Sequence, residues 1–295
     1  MASQIPTLTL SDGNTIPLLG YGLGTANFKR KDAPPFSEAI VSATVAAIKA
    51  GYHHLDGAEA YGNEAELGAA IARSGVPRSS LFVTTKTSVL PGDTIESAFT
   101  RSLEKLGLDY VDLYLIHSPF WAKSPADQQA KWKEVEALKE SGRAKSIGVS
   151  NYLREDLEPI LETAKYPPSV NQIEYHPYLQ HGDLVAWHKE RGIAVEAYGP
   201  LTAVTKVKGG PVDAVYERLA KKYGVGHGDV ALRWCLDQGV IAVTTSGSEE
   251  RLKGYLETLP KFRLTEEEIK EISDKGKELH HRGFWNHKIG KDDRR

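Results

Sequence analysis

Eight times after residue 20, a short apolar run gives way to a segment whose apolar residues recur with helical spacing. No other feature restricts the fold as much, because strands that alternate with helices pair in parallel and carry the helices outside. Gly20 to Thr25 opens the series and leads through a charged, proline-containing loop, Lys29 to Phe36, to a helix with Ile40, Val41, Thr44, Val45 and Ile48 on one face. His53 to Asp56 precedes a helix carrying Leu67, Ala70 and Ile71, with Asn63 and Glu66 expected as its capping pair. Leu81 to Lys86 precedes a helix expected to be capped by Asp93 and Glu96, and Tyr110 to Ile116 ends at His117. Lys145 to Val149, Val170 to Glu174, Ile193 to Tyr198 and Val240 to Thr244 continue the rhythm. Ahead of it, Thr7–Leu10 and Thr15–Leu18 flank Ser11-Asp12-Gly13-Asn14, a hairpin signal read as a plug rather than core. The expected fold is α/β: a (β/α)8 TIM barrel forming one domain over residues 1–295, with a hairpin plug and a C-terminal loop at the mouth. An open doubly wound sheet is the alternative.

Composition removes several function classes. Lys and Arg total 37 against 39 Asp and Glu, so no global charge recruits nucleic acid or an anionic membrane. Cys235 is the sole cysteine, which forbids an internal disulfide and fits a reducing compartment. The first residues lack the basic and apolar regions of a signal peptide, and no run approaches the roughly 20 apolar residues of a membrane span. A soluble, cytoplasmic protein is expected. The glycine cluster Gly20, Gly22 and Gly24 has Asn27 where a dinucleotide fingerprint needs its third glycine, so a Rossmann site is not supported.

Parallel αβ proteins build their sites at the carboxyl ends of strands. There the sequence delivers Asp56, Lys86 and His117 from three consecutive strands, with Tyr61 on the loop beside them. An ammonium beside a phenol stabilises phenolate and is expected to draw its pKa down from about 10, while a carboxylate keeps the lysine charged. A histidine there can hydrogen-bond a carbonyl oxygen as negative charge develops on it. Singly, each has an ordinary alternative: Asp56 as a turn cap, Tyr61 as packing, the Lys-Asp pair as structure, and His117 as a satisfied polar group.

The stretches GYHHLDGAEAYGNE, LFVTTK, LGLDYVDLYLIHSP, GRAKSIGVSNY, VNQIEYHPYL and AYGPL, in this order and over nearly the whole chain, resemble the aldo-keto reductases. That resemblance implies a monomeric or weakly dimeric barrel that uses a nicotinamide cofactor to reduce a small carbonyl substrate. It implies Tyr61 as general acid, tuned by Lys86 and Asp56, with His117 orienting the carbonyl. It also implies cofactor contacts from Gly24, Thr25, Asp56, Ser150, Asn151, Gln172, Tyr198, Gly199, Pro200 and Leu201, with Tyr198 stacking on the nicotinamide. Two rivals stand beside it. A non-catalytic cofactor-binding subunit would carry a damaged tetrad, which this chain does not, and a metal site would have to use His53-His54 and His280-His281, a poor ligand pattern.

Departures from the family pattern carry the finer expectations. After the last strand the family commonly has a lysine that helps hold the 2′-phosphate of NADP; here Thr244, Thr245, Ser246 and Arg251 stand in that region. Ser246 and Arg251, at the start of a helix capped by Ser248, still offer a hydroxyl and a guanidinium, so NADPH is expected with NADH possible. Ala26 and Ser118 replace common pocket aromatics, which predicts a less aromatic wall near the nicotinamide, with Phe120, Trp121, Phe284 and Trp285 as the candidate apolar residues. The threonine pair resembles fungal reductases of conjugated polyketones and α-keto amides, and the expected substrates are aldehydes or activated ketones: α-dicarbonyls, keto esters, keto lactones and keto amides.

Overall fold

A computed structural model describes residues 5–30 and 32–295. Two antiparallel strands, β1 (Thr7–Thr9) and β2 (Thr15–Pro17), form the hairpin. Eight further strands are β3 (Leu19–Gly22), β4 (His54–Asp56), β5 (Phe82–Thr87), β6 (Val111–Ile116), β7 (Ala144–Ser150), β8 (Val170–Glu174), β9 (Ala194–Tyr198) and β10 (Ile241–Thr244). They pair in parallel in chain order, and β10 returns to β3 to close the barrel. The doubly wound alternative is thereby excluded. Around the barrel run α1 (Glu38–Ala50), α2 (Glu64–Ser74), α3 (Ile95–Leu106), α4 (Pro125–Glu140), α5 (Arg154–Thr163), α6 (Leu184–Glu190), α7 (Thr202–Thr205), α8 (Asp213–Tyr223), α9 (His227–Leu236), α10 (Glu249–Thr258) and α11 (Glu266–Lys277), with a one-turn α12 (Asn286–Ile289) in the tail.

The strands are buried on both faces, as parallel strands between an interior and a helical shell must be, which is why they read as continuous apolar runs. Helix α1 buries Val41, Thr44, Ala47 and Ile48, the stripe that the spacing predicts, and Ser37 Oγ accepts from the Ile40 amide at its start. The Thr265–Glu268 capping box and the Ser248 cap form as expected. Two expected caps do not. Asn63 occupies the N-cap of α2 without capping it, because its amide instead donates to Leu23 O (3.1 Å) and Asn27 O (2.7 Å), tying the helix start to the loop after β3. Glu66 accepts from Lys29 Nζ and the Ser37 amide. At α3 the box is made by Thr94 and Ser97, while Asp93 pairs with Arg101.

The hairpin lies at the amino end of the strands, where Asn14 Nδ2 donates to Lys145 O (3.0 Å) and Ser146 Oγ (3.1 Å) at the start of β7. That end is stoppered, and the opposite rim carries the loops. Cys235 is buried and free, with its thiol pKa pushed well up by burial, as an inert core residue requires. No helix among the described residues is long and apolar enough to cross a membrane.

Candidate active site

Parallel pairing sets the site before any side chain does. Asp56 pairs with Thr84 and Lys86 with Leu115, so moving from β4 to β5 to β6 the inward residues at the rim step forward by two: Asp56, Lys86, then His117 just past β6. The period of two keeps all three on the interior face. Tyr61 joins them from the single 3-10 turn Glu59–Tyr61 between β4 and α2.

Lys86 is wholly buried and its three N–H groups are each directed. Nζ lies 2.7 Å from Asp56 Oδ1, 2.8 Å from Gly57 O and 3.1 Å from Tyr61 Oη. The lysine donates in all three contacts, so the Tyr61 oxygen accepts and its own proton stays free to be given. Burial works against the ammonium, yet Asp56 and Tyr61 outweigh it and the Lys86 pKa is raised, which keeps the charge in place. The expectation for the phenol is overturned in direction. Burial is the largest influence on Tyr61 and raises its pKa above 10, although Lys86 pulls the other way, so the free site holds a protonated tyrosine. His117 is pushed from 6.5 to about 3, first by burial and then by the Lys86 charge, so its imidazole is neutral across the physiological range. Its ring meets Tyr61 edge-on at 5.5 Å between centroids.

Next to the four groups, a polar chain fixes the rim. Gln172 Nε2 donates to Asp56 Oδ1 at 2.8 Å, Ser150 Oγ to Gln172 O at 2.8 Å, and Asn151 Nδ2 to His117 O at 2.9 Å. Asn151 sits at φ +62°, a left-handed conformation that asparagine tolerates better than most residues, and its side-chain oxygen accepts from Tyr198 Oη at 2.6 Å.

The rim opens into a cavity of about 700 Å³ lined by Tyr61, His117, Ser118, Phe120, Trp121, Ser150, Asn151, Gln172, Tyr198, Phe284 and Trp285, among others. Gly24, Thr25, Thr244 and Thr245 line both this cavity and an adjoining groove that also takes in Gly199, Pro200 and Leu201. A side chain at Gly24 would collide with Tyr61, since a Cβ there would stand 2.5 Å from Cζ. Ala26 borders the groove and not the cavity. The aromatic deficit expected from Ala26 and Ser118 is made up from elsewhere: Phe28, Phe120, Trp121, Phe284 and Trp285 give the cavity an aromatic wall. Ser246 and Arg251 line neither space; they stand at the start of α10, with Arg251 Nη1 3.5 Å from Ser246 Oγ. Lys253 pairs with Glu249. His54 is buried in the barrel interior 3.3 Å from Glu196, and no three His, Cys, Asp or Glu residues among those described are grouped to hold a metal ion.

Sequence reasoning passed over Phe28, Glu174 and the groove's cations Arg30, Lys206, Arg282 and Lys291. For Glu174 a signal was present: it stands two residues after Gln172 on β8 and so shares its face. For the cations nothing in residue order marks which loop lysines and arginines converge.

Residues 21–277 match the model of the aldo/keto reductase family. Among curated relatives, the NAD/NADP-dependent indole-3-acetaldehyde reductase of Schizosaccharomyces pombe is 41% identical, with 93% of this chain and 97% of that protein covered. The NADPH-dependent alpha-keto amide reductase of Saccharomyces cerevisiae is 38% identical, with 96% and 95% covered. A solved Bombyx mori aldo-keto reductase in complex with NADP superposes with a TM-score of 0.81 at 35% identity, covering 93% of this chain and 94% of that one. On the family match and on these full-length likenesses, the chain belongs to the aldo/keto reductase family.

Proposed function

We propose that this protein reduces aldehydes and activated ketones to alcohols with NADPH. The observation that carries the reading is the Tyr61 hydroxyl, which accepts from Lys86 at 3.1 Å and faces the cavity with its own proton unspent. The groove suits a dinucleotide: it runs into the cavity through Gly24, Thr25, Thr244 and Thr245, and its walls carry Arg30, Lys206 and Lys291 against phosphate charge. Tyr198 offers a ring face, Ser150, Asn151 and Gln172 offer the polar atoms a carboxamide needs, and Ser246 with Arg251 offers a hydroxyl and a guanidinium for a 2′-phosphate at the start of α10. A reduced nicotinamide, when bound, supplies the hydride that the carbonyl carbon receives.

The chain's own residues do the rest. His117, neutral, presents an imidazole N–H to the carbonyl oxygen without bringing a charge that Lys86 would oppose. Tyr61 gives its proton to that oxygen as negative charge grows there. The phenolate left behind is the form that Lys86 stabilises, and Asp56 keeps Lys86 aimed at it. The aromatic wall excludes water and strengthens each of these interactions.

Two observations favour some use of NADH as well: no lysine stands in the Thr244–Ser246 segment, and the fission-yeast relative is named for both cofactors. The test is the initial rate of cofactor oxidation with a small α-dicarbonyl, NADPH and NADH side by side at equal concentration, repeated with Tyr61→Phe. Faster turnover with NADPH, abolished by Tyr61→Phe while cofactor still binds, is the expected result. Full turnover in Tyr61→Phe refutes the assignment of the proton donor.

A further inference from the structure

Strand β8 ends at Glu174, whose carboxylate is 1% exposed although it touches none of the four groups at the rim. It faces the tail. Oε1 accepts from the Gly283 amide at 2.8 Å and Oε2 from the Phe284 amide at 3.1 Å, so two consecutive peptide N–H groups grip the two oxygens of one side chain. His176 Nε2 lies 3.1 Å from Oε1 on the other side. Burial alone would raise the Glu174 pKa, but His176 and the two tail amides bring it below the usual carboxylate value, so the group binds as an anion. The fit is close: a Cβ on Gly283 would stand 3.0 Å from Glu174 Oε1.

The grip lands where the wall is built. Phe284 sets its ring edge-on to Tyr198 at 5.2 Å, and Trp285, turned to φ +59°, meets Phe120 at 5.1 Å and His117 at 6.3 Å. Beyond them the tail folds on itself, with the Arg282 guanidinium donating to Asp293 O and Asn286 Nδ2 to Arg282 O. The tail therefore carries internal ties, while the backbone amides of residues 283 and 284 both bond to a single carboxylate of the barrel.

We propose that Glu174 is a positioning residue for substrate selection: by holding the Gly283 and Phe284 amides it fixes the aromatic wall that separates bulky, aryl-bearing carbonyl compounds from small ones. The selection step rests on the reductase reading, but the clasp itself does not. Glu174→Gln keeps one acceptor oxygen and turns an amide NH2 toward a tail N–H, so one of the two bonds becomes a donor-to-donor clash. Gly283→Ala crowds the same contact from the tail side and leaves the barrel untouched.

Two readouts decide it. In hydrogen exchange, the amides of residues 283 and 284 exchange slowly in the parent protein and roughly tenfold or more faster in Glu174→Gln, as expected for the loss of a charge-assisted bond. In steady-state kinetics, Glu174→Gln leaves kcat for a small α-dicarbonyl within about twofold and raises KM for an aryl ketone roughly tenfold. Trp285→Ala raises the aryl KM while the two amides stay protected, which separates the wall from its anchor. If Glu174→Gln does not fold, Gly283→Ala carries both measurements. Unchanged exchange at 283 and 284 in the folded variant overturns the clasp, and faster exchange with an unchanged ratio of the two KM values overturns its role in selection. Should the parent protein reduce neither compound, the reductase reading and the selection role fail together, while exchange still decides whether the clasp exists.

Discussion

Replacing Lys86 by methionine is the most informative single change, because it separates what the buried ion pair does for the fold from what it does for chemistry. The methionine has a similar length and suits the surrounding burial, so the loss is that of the charge and its three bonds. Asp56, 3% exposed, then faces the interior without a counter-ion. Breaking one side of such a pair costs about 3–5 kcal/mol, and the Gln172 amide still donating to Asp56 Oδ1 at 2.8 Å argues for the lower end, about 3 kcal/mol. The double variant Lys86→Met with Asp56→Asn removes the stranded charge, and should regain about half of that loss or more, since neutral replacements of whole buried pairs are often tolerated. Urea unfolding followed by circular dichroism reads both values, and carbonyl reduction is lost in both variants. The reasoning is refuted if the double variant is as unstable as Lys86→Met, for then no buried charge was being compensated.

Two further outcomes follow from the same geometry. In Gly24→Ala the new methyl group, built 2.5 Å from Tyr61 Cζ, must displace the phenol from Lys86; we expect kcat to fall by roughly a hundredfold with the barrel still folded, and a kcat near that of the parent would show that the ring has room to spare. Burial lowers His117 to about 3 and His181 to about 4, so the folded state binds fewer protons than the unfolded one below pH 6.5. Stability should be flat above that pH and decline by several kcal/mol toward pH 4, while kcat shows no acid limb near 6.5; such a limb would mean that His117 titrates normally.

Much of this was readable from residue order because strand ends in a parallel barrel are marked twice, by the end of an apolar run and by the polar residue that follows. Asp56, Lys86 and His117 each stand at such a mark. What failed was local logic overridden from a distance. Asn63 and Glu66 have the spacing of a cap but are drawn to Leu23, Asn27, Lys29 and Ser37, none of which is near them in sequence. Thr94 displaced Asp93 as a cap because Arg101 pairs with the aspartate. The direction of the Tyr61 shift depends on how deeply the ring is buried, which spacing does not report, and burial exceeds the nearby positive charge. Phe120, Trp121, Phe284 and Trp285, named from the sequence, do line the cavity, whereas Phe28 was missed because it reaches the cavity from a loop.

The two-residue steps from Asp56 to Lys86 to His117 are written in main-chain hydrogen bonds, and the wall that faces them is written in a tail whose residues 283 and 284 hydrogen-bond to one carboxylate at the end of β8. On the proposed reading, reactivity and choice of substrate are carried by separate parts of the molecule. Exchange of residues 284 and 285, or a longer tail, would then change which carbonyl compounds enter while Asp56, Lys86 and His117 keep their places on the strands. Deleting one residue within Phe82–Thr87 offers no such freedom: it turns Lys86 away from the interior and brings a threonine in its place, a loss that no revision of the tail can repair.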